Sequence, residues 1–182
     1  QTLPKVIIPV HLAGSSVPMK ELYDLVSPYD IRIIEDASHA VGGSYLGSPI
    51  GSCNFSDITV FSFHPVKIIT TGEGGAATTN NSYLASKMAT LRSHGITKDP
   101  KLFQQHIPAP WSYEQQQLGY NYRLTDIQAA LGLSQLERLQ SIVLKRNEIY
   151  QRYSELLHDL PVDLLRIPPS CHSSLHLAVI LL

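Results

Sequence analysis

The run Ile31-Arg32-Ile33-Ile34-Glu35-Asp36-Ala37-Ser38-His39 sets the fold, because a short β-branched stretch that reads as a buried strand leads without a break into polar residues. In open α/β sheets the carboxyl ends of the strands are where ligands bind, so this is the edge at which chemistry is expected. The same pattern recurs downstream. Ile58-Thr59-Val60-Phe61-Ser62-Phe63-His64 reads as a strand with Lys67 just beyond it, and the glycine turn Thr71-Gly72-Glu73-Gly74-Gly75 leads into a further strand, Ala76-Ala77-Thr78-Thr79. Upstream, Val6-Ile7-Ile8-Pro9-Val10 is expected to be a buried strand and Met19 to Val26 a helix, while Gly42, Gly43, Gly47 and Gly51 form a loop around Tyr45. Beyond the last of these strands, the spacing predicts a helix from Ser82 to about Arg92 with Ser82 as its N-cap, then a long irregular stretch over residues 95–122 that contains Pro100, Pro108 and Pro110. From Thr125 to Leu157 apolar positions recur at helical spacing, in one long helix or two in succession, with the stripe as core and Lys145, Arg146 and Glu148 on a solvated face. Leu175 to Leu182 reads as a final strand. Strands alternating with helices give an α/β class with a mostly parallel sheet flanked by helices.

Composition narrows the function classes. The 182 residues are 43% hydrophobic and 16% charged, the profile of an ordinary globular protein. Fourteen basic against fifteen acidic residues leave a net charge of −1, so nothing attracts nucleic acid or an anionic membrane at long range. The apolar runs fall short of a bilayer span, and a small-molecule partner is the default. Cys53 and Cys171 form neither a CxxC pair nor a dense framework, which fits packing residues in an intracellular reducing compartment, the cytoplasm. His172 and His176 beside Cys171 lack the remaining ligands and spacing of a zinc site, and no metal is expected. The apolar strands close to both ends point to a chain that continues elsewhere, so a fragment is expected.

Three features then line up at successive strand ends: Asp36, Ser62 with Lys67 five residues on, and the glycine turn. Singly, each has a plain structural explanation. An Asp after a strand is often a cap, a Lys there is usually solvated, and turn glycines serve backbone angles. Together they are the parts a pyridoxal phosphate enzyme needs. A lysine binds the cofactor and carries protons, a carboxylate holds the pyridine nitrogen protonated, and hydroxyl and backbone donors take the phosphate. Lys67, Asp36 and Ser62 are the candidates for these three roles.

The segments Glu35-Asp36-Ala37-Ser38-His39-Ala40-Val41-Gly42, Phe61-Ser62-Phe63-His64-Pro65-Val66-Lys67 and Ile69-Thr70-Thr71-Gly72-Glu73-Gly74-Gly75 resemble the nucleotide-sugar aminotransferases of the DegT/StrS family, fold-type-I pyridoxal phosphate enzymes. Arg92-Ser93-His94-Gly95, Leu118-Gly119-Tyr120-Asn121-Tyr122-Arg123-Leu124 and Ile127-Gln128-Ala129-Ala130-Leu131-Gly132 continue the resemblance in order, over roughly residues 5–180. Among subfamilies it is nearest to the aminotransferases of pseudaminic acid biosynthesis. The resemblance implies that Lys67 forms the internal aldimine, Asp36 pairs with the pyridine nitrogen, Ser62 binds the phosphate and His39 lies near the cofactor ring. It also implies that Asn121 reaches the phosphate of a neighbouring subunit's cofactor, hence a homodimer with shared sites. The implied substrate is a nucleotide-linked 4-keto-6-deoxy sugar with glutamate as amino donor. Residues 1–140 would then be part of the large cofactor-binding domain, and 141–182 the start of a small C-terminal domain.

Family members are roughly twice this length, and their chains begin with a phosphate-binding turn and a cofactor-stacking aromatic that do not precede Gln1 here. Two rival readings therefore stand beside the aminotransferase: a dehydratase of the same fold, in which a His replaces the lysine and against which Lys67 argues, and an inactive fragment or non-catalytic regulatory protein that keeps the fold. His64, His94, Tyr120, Tyr122 and Arg123 lie inside matching motifs, with contact to substrate or bracing of an interface as their alternatives.

Overall fold

The computed structural model describes residues 2–104 and 109–182, so Gln1 and Pro108 lie outside the described residues. In chain order the elements are β1 (Val6–Ile7), α1 (Met19–Val26), β2 (Arg32–Asp36), β3 (Ser44–Tyr45), β4 (Ser48–Pro49), β5 (Ile58–Ser62), β6 (Gly75–Thr78), α2 (Ser82–Arg92) and β7 (Ile96–Thr97). There follow β8 (Glu114–Gln115), α3 (Asp126–Leu136), α4 (Leu139–Leu156), β9 (Asp163–Leu164), β10 (Cys171–His172) and β11 (Ile180–Leu181). Contacts divide the chain into two compact units, residues 1–80 with 126–182, and residues 81–125.

The first unit is built on a four-stranded sheet of order β1-β2-β5-β6. β1 pairs β2 in parallel and β2 pairs β5 in parallel, with Asp36 opposite Val60, whereas β6 runs antiparallel to β5 with Gly75 opposite Ser62. Alternation along β2 buries Ile33 and Glu35 and leaves Asp36 half-exposed. Ile33 joins Met19 and Val26 of α1 and Tyr45 of β3 in the core, with Phe55 meeting Tyr45 edge-on at 6.1 Å. The expected glycine loop around Tyr45 is a hairpin: Leu46 (φ 48°) and Gly47 (φ 78°) turn β3 into β4, and β10 pairs on the other side of β3.

Three expectations change here. Val6, Ile8 and Val10 are exposed rather than buried, and only Val6–Ile7 of this run forms a strand, at the edge of its sheet among the described residues. The helical stretch is two helices, and its apolar stripe is not core within this chain: Val143 is buried, but Ile127 is 85% exposed and Leu133 66%. The only buried residue of α3 is Gly132, which comes up against Thr71. The run from Leu175 is a strand only at Ile180–Leu181, which pairs with β9. Ser173 to Leu175 are instead buried in irregular backbone whose hydrogen bonds go to the loop before α1 and to α4.

In the second unit α2 is capped by Asn81 rather than Ser82, since the Asn81 side-chain oxygen accepts the N–H groups of Tyr83 and Leu84 at 2.9 and 3.2 Å. β7 and β8 form an antiparallel pair, and Ser93 bridges Asn121. Gly95 and Gly119 explain the glycines of both motifs. A Cβ on Gly119 would lie 2.0 Å from the Gly95 nitrogen, so two backbones cross where no side chain fits. No helix among the described residues is long and apolar enough to cross a membrane, and among them no group of three or more His, Cys, Asp or Glu is placed to hold a metal ion.

Candidate active site

Asp36 closes β2. Its backbone N–H bonds to the Pro9 carbonyl at 2.9 Å and its own carbonyl accepts from the His11 N–H at 3.0 Å, so the chain is pinned on both sides where the strand ends. The next residue, Ala37, donates to the Val60 carbonyl at 2.8 Å. The Asp36 carboxylate folds over this turn and accepts the Ser38 N–H at 3.0 Å. Burial works to raise its pKa, but the Ser38 hydrogen bonds, His39 and the Lys67 ammonium outweigh it, and the carboxyl lies below its ordinary value. Asp36 is therefore ionised at neutral pH.

Directly beneath, the preceding residue does structural work. Glu35 is buried and accepts from His11 Nε2 at 2.7 Å, from Thr59 Oγ1 at 2.8 Å and from the Ser56 hydroxyl. Burial would raise this carboxyl too, and the three donors reverse it to a value below the ordinary one. His11 is fully buried and its Nδ1 accepts the Val17 N–H at 3.2 Å, which places the proton on Nε2, toward Glu35. Successive side chains of one strand thus face opposite ways, one locked into the interior and the other presented to the site.

Lys67 sits on a closed loop after β5. Phe63 N–H bonds to the Gly74 carbonyl at 2.8 Å, Thr71 N–H to the Phe63 carbonyl at 3.0 Å, and Lys67 N–H to the His64 carbonyl at 2.9 Å. The adjoining Ile68 and Ile69 are buried and anchor the loop, which leaves the lysine half-buried above them. Ser62 ends β5 with its hydroxyl accepting the His64 N–H at 3.4 Å. His64 and Glu73 are exposed and approach to only 3.9 Å.

The fourth member enters the sequence reading only as a dismissed metal ligand. His176 lies against His39 with ring centroids 4.5 Å apart and planes tilted by 39°. The Nδ1 atoms of both rings are buried without a hydrogen-bond partner. Burial, then the Lys67 ammonium, lowers the His39 pKa against the pull of Asp36. For His176, burial, His39, Lys67 and Arg146 together push it down to about 4. Asp36, His39, Lys67 and His176 thus form one electrostatic cluster at the carboxyl end of β2 and β5, with both imidazoles neutral at neutral pH. Such clusters of perturbed groups mark functional sites. The residue number of His176 carried no signal, because only the tertiary fold joins it to His39.

Asn121 lies in the other unit, where its Oδ1 accepts from Arg123 Nε at 3.2 Å and the Tyr120 and Tyr122 rings stack at 4.9 Å. That unit has its own open cleft, lined in part by Thr90, His94, Lys98, Tyr113 and Arg123, with cationic side chains and no carboxylate.

A profile of the DegT/DnrJ/EryC1/StrS aminotransferase family matches residues 1–182. The chain belongs to this family. Among curated relatives of this DegT/DnrJ/EryC1/StrS chain, the UDP-4-amino-4,6-dideoxy-N-acetyl-beta-L-altrosamine transaminase of Campylobacter jejuni serotype O:23/36 is 44% identical over 174 residues, which is 95% of this chain and 43% of the relative. Among solved structures, Helicobacter pylori PseC, an aminotransferase of pseudaminic acid biosynthesis, superposes with a TM-score of 0.87 at 38% identity over 97% of this chain and 45% of that one. Spr1654 of Streptococcus pneumoniae in its PLP form superposes with a TM-score of 0.82 at 32% identity, over 97% and 47%. This DegT/DnrJ/EryC1/StrS chain spans less than half the length of each of these relatives. The fold is accordingly that of the fold-type-I pyridoxal phosphate transferases, α/β with a mostly parallel sheet.

Proposed function

We propose that this protein is a pyridoxal-phosphate-dependent aminotransferase that moves an amino group from glutamate to a nucleotide-linked 4-keto-6-deoxy sugar. A UDP sugar of the 4-keto-6-deoxy-N-acetyl-altrosamine type is the substrate, in line with the name of the Campylobacter relative. The observation that carries this reading is the cluster of an ionised carboxylate, a half-buried lysine and a neutral imidazole at the carboxyl ends of two parallel strands.

The residues present fit the cofactor. His39 Nδ1 is a buried nitrogen without a partner, the Asp36 carboxylate carries its charge into the site, and the Lys67 amine stands within reach of both fields. When bound, pyridoxal phosphate supplies an electron sink for the carbon that loses a proton. Asp36 would keep the pyridine nitrogen protonated by charge pairing, which is the work of a carboxylate held below its usual pKa. Lys67 Nζ would hold the cofactor covalently and, once released, move the proton at the reacting carbon. The Ser62 hydroxyl, at the mouth of the loop, would take the phosphate, and His39 would meet the edge of the ring.

Asn121 would serve a second subunit's phosphate, which makes the protein a homodimer with shared sites. Exposed apolar residues support this: Ile127 and Leu133 on α3, and separately Trp111 and Leu118 in the other unit. Residues 1–140 belong to the large domain in this reading, and 141–182 open the small one. Both cysteines are free, and with a near-neutral charge they support a cytoplasmic enzyme with no nucleic acid, membrane or metal partner.

Borohydride treatment of the cofactor-loaded protein, followed by peptide mass spectrometry, is expected to find a phosphopyridoxyl adduct on the peptide that carries Lys67. Lys67→Ala should lose the adduct and amino transfer from glutamate to the keto sugar. Absence of an adduct on Lys67 in the full chain would overturn the reading in favour of a non-catalytic protein of the same fold.

A further inference from the structure

We infer that His176 is a positioning residue of the site: its ring, carried on the strap of residues 173–177, fixes the orientation of His39 and keeps one face of it from water. This rests on the reading above that His39 meets the bound cofactor.

The strap is over-determined for a segment that forms no strand. Ser174 donates its N–H to the Gly14 carbonyl at 3.2 Å and its hydroxyl to the His39 carbonyl at 3.1 Å, and Leu177 N–H reaches the Ala13 carbonyl at 3.4 Å. From α4, Arg146 donates to the carbonyls of Leu175 and His176 at 3.1 and 3.3 Å, and Asn147 to that of Ser173 at 3.1 Å. Leu175, buried, is held at φ 51°, a left-handed conformation that side-chain-bearing residues avoid unless their surroundings impose it. Strain of this kind, fixed by contacts from three separate segments, places the next residue. That residue is His176, and its ring lands on His39.

The contact constrains His39 in two ways. A ring 4.5 Å away removes one face of His39 from water and blocks rotation of its plane. The charged groups that face the pair are Lys67 beyond β5, Arg146 on α4 and Asp36 at the end of β2, two cations against one anion. A proton added to His39 would set a like charge beside Lys67 in a place that burial keeps from water, so His39 stays neutral. Buried nitrogens without partners cost stability and survive where a bound group completes them. Were His176 only filler beneath the strap, its removal would cost stability and leave the His39 ring and its titration unchanged.

The test needs no cofactor. Long-range ¹H–¹⁵N spectra of the full chain, with His39 assigned through His39→Gln, report the tautomer and the charge of each ring as pH is lowered. In the native protein His39 is expected to show one set of ring signals and to gain its proton below the ordinary histidine range. His176→Phe keeps a flat ring and should leave both properties in place. His176→Ala and the bulkier His176→Leu should broaden or double the ring signals and shift the midpoint up toward the ordinary value. Leu preserves volume, so the comparison stands even where Ala fails to fold. Unchanged His39 signals in the Leu variant, or broadened and shifted signals in the Phe variant, would overturn the inference. Failure of the aminotransferase reading shows separately, as a missing adduct on Lys67.

Discussion

Replacing Glu35 by leucine tests the foundation on which Asp36 stands. The carboxylate accepts from His11, Thr59 and Ser56 in the interior of the first unit, and leucine has similar volume but no acceptor. The Thr59 hydroxyl has an alternative in Cys53 Sγ at 3.3 Å. His11 has none, since its Nδ1 is committed to the Val17 N–H and its ring is fully buried. The His11 donor is therefore stranded and that of Ser56 keeps only a long contact to Thr59 Oγ1 at 3.5 Å, at about 1–3 kcal/mol each. Burying the leucine returns about 1–2 kcal/mol. The net loss in unfolding free energy at neutral pH is expected to be about 3 kcal/mol. The acid dependence supplies a second signature. The Glu35 carboxyl lies below its ordinary value in the folded protein, so the stability from its ionised form is complete above the unfolded value of about 4.3 and is lost as pH falls through the lower folded value. Urea unfolding followed by circular dichroism should show a gap between native protein and Glu35→Leu that is flat above about pH 5 and shrinks on acidification. Adding His11→Phe, which removes the stranded ring nitrogen, should recover part of the loss. A gap under about 1 kcal/mol at neutral pH, or one of equal size at every pH, would refute the network as described.

Gly14→Ala should destabilise by about 3 kcal/mol in urea unfolding, because φ is +96° and the new Cβ would lie 2.7 Å from Ser174 Oγ and 2.8 Å from the Leu175 nitrogen. Asn81→Ala should cost about 1 kcal/mol by the same measurement, from two uncapped N–H groups at the start of α2, and Asn81→Ser should restore most of it. Arg146→Met keeps the stem but removes both bonds to the strap, and hydrogen exchange of the Leu175–Leu177 amides is expected to rise more than tenfold while that of β2 is unchanged.

The parts of this fold that could be read in the sequence are those where one physical rule acts locally. β2 and β5 announce themselves as β-branched runs, α1 by its apolar spacing, Asp36 by closing one such run and Lys67 by standing just past the other. The hairpin of β3 and β4 was hidden because glycines mark both loops and turns, and its strands are two residues each. The helix cap moved by one residue because Asn81 and Ser82 are both good caps, and only the accepted hydrogen bonds separate them. The stripe on α3 and α4 has the spacing of a core, yet spacing cannot say whether the covering surface lies in the same chain. His176 was out of reach for a different reason, since a contact across 137 positions leaves no periodic trace.

The strap also has a consequence for synthesis. The hydrogen bond from Ser174 to His39 joins residues 135 positions apart, and that from Ser174 to Gly14 spans still more. On a ribosome the Asp36 and Lys67 edge is made first and must wait for residues 68–177 to emerge before its lid of backbone arrives. At about 5–20 residues per second, that interval lasts several seconds, during which His39 has no ring beside it and the loop before α1 has no partner. The site is thus completed late, and any translational pause between residues 80 and 170 would prolong the life of a half-built pocket.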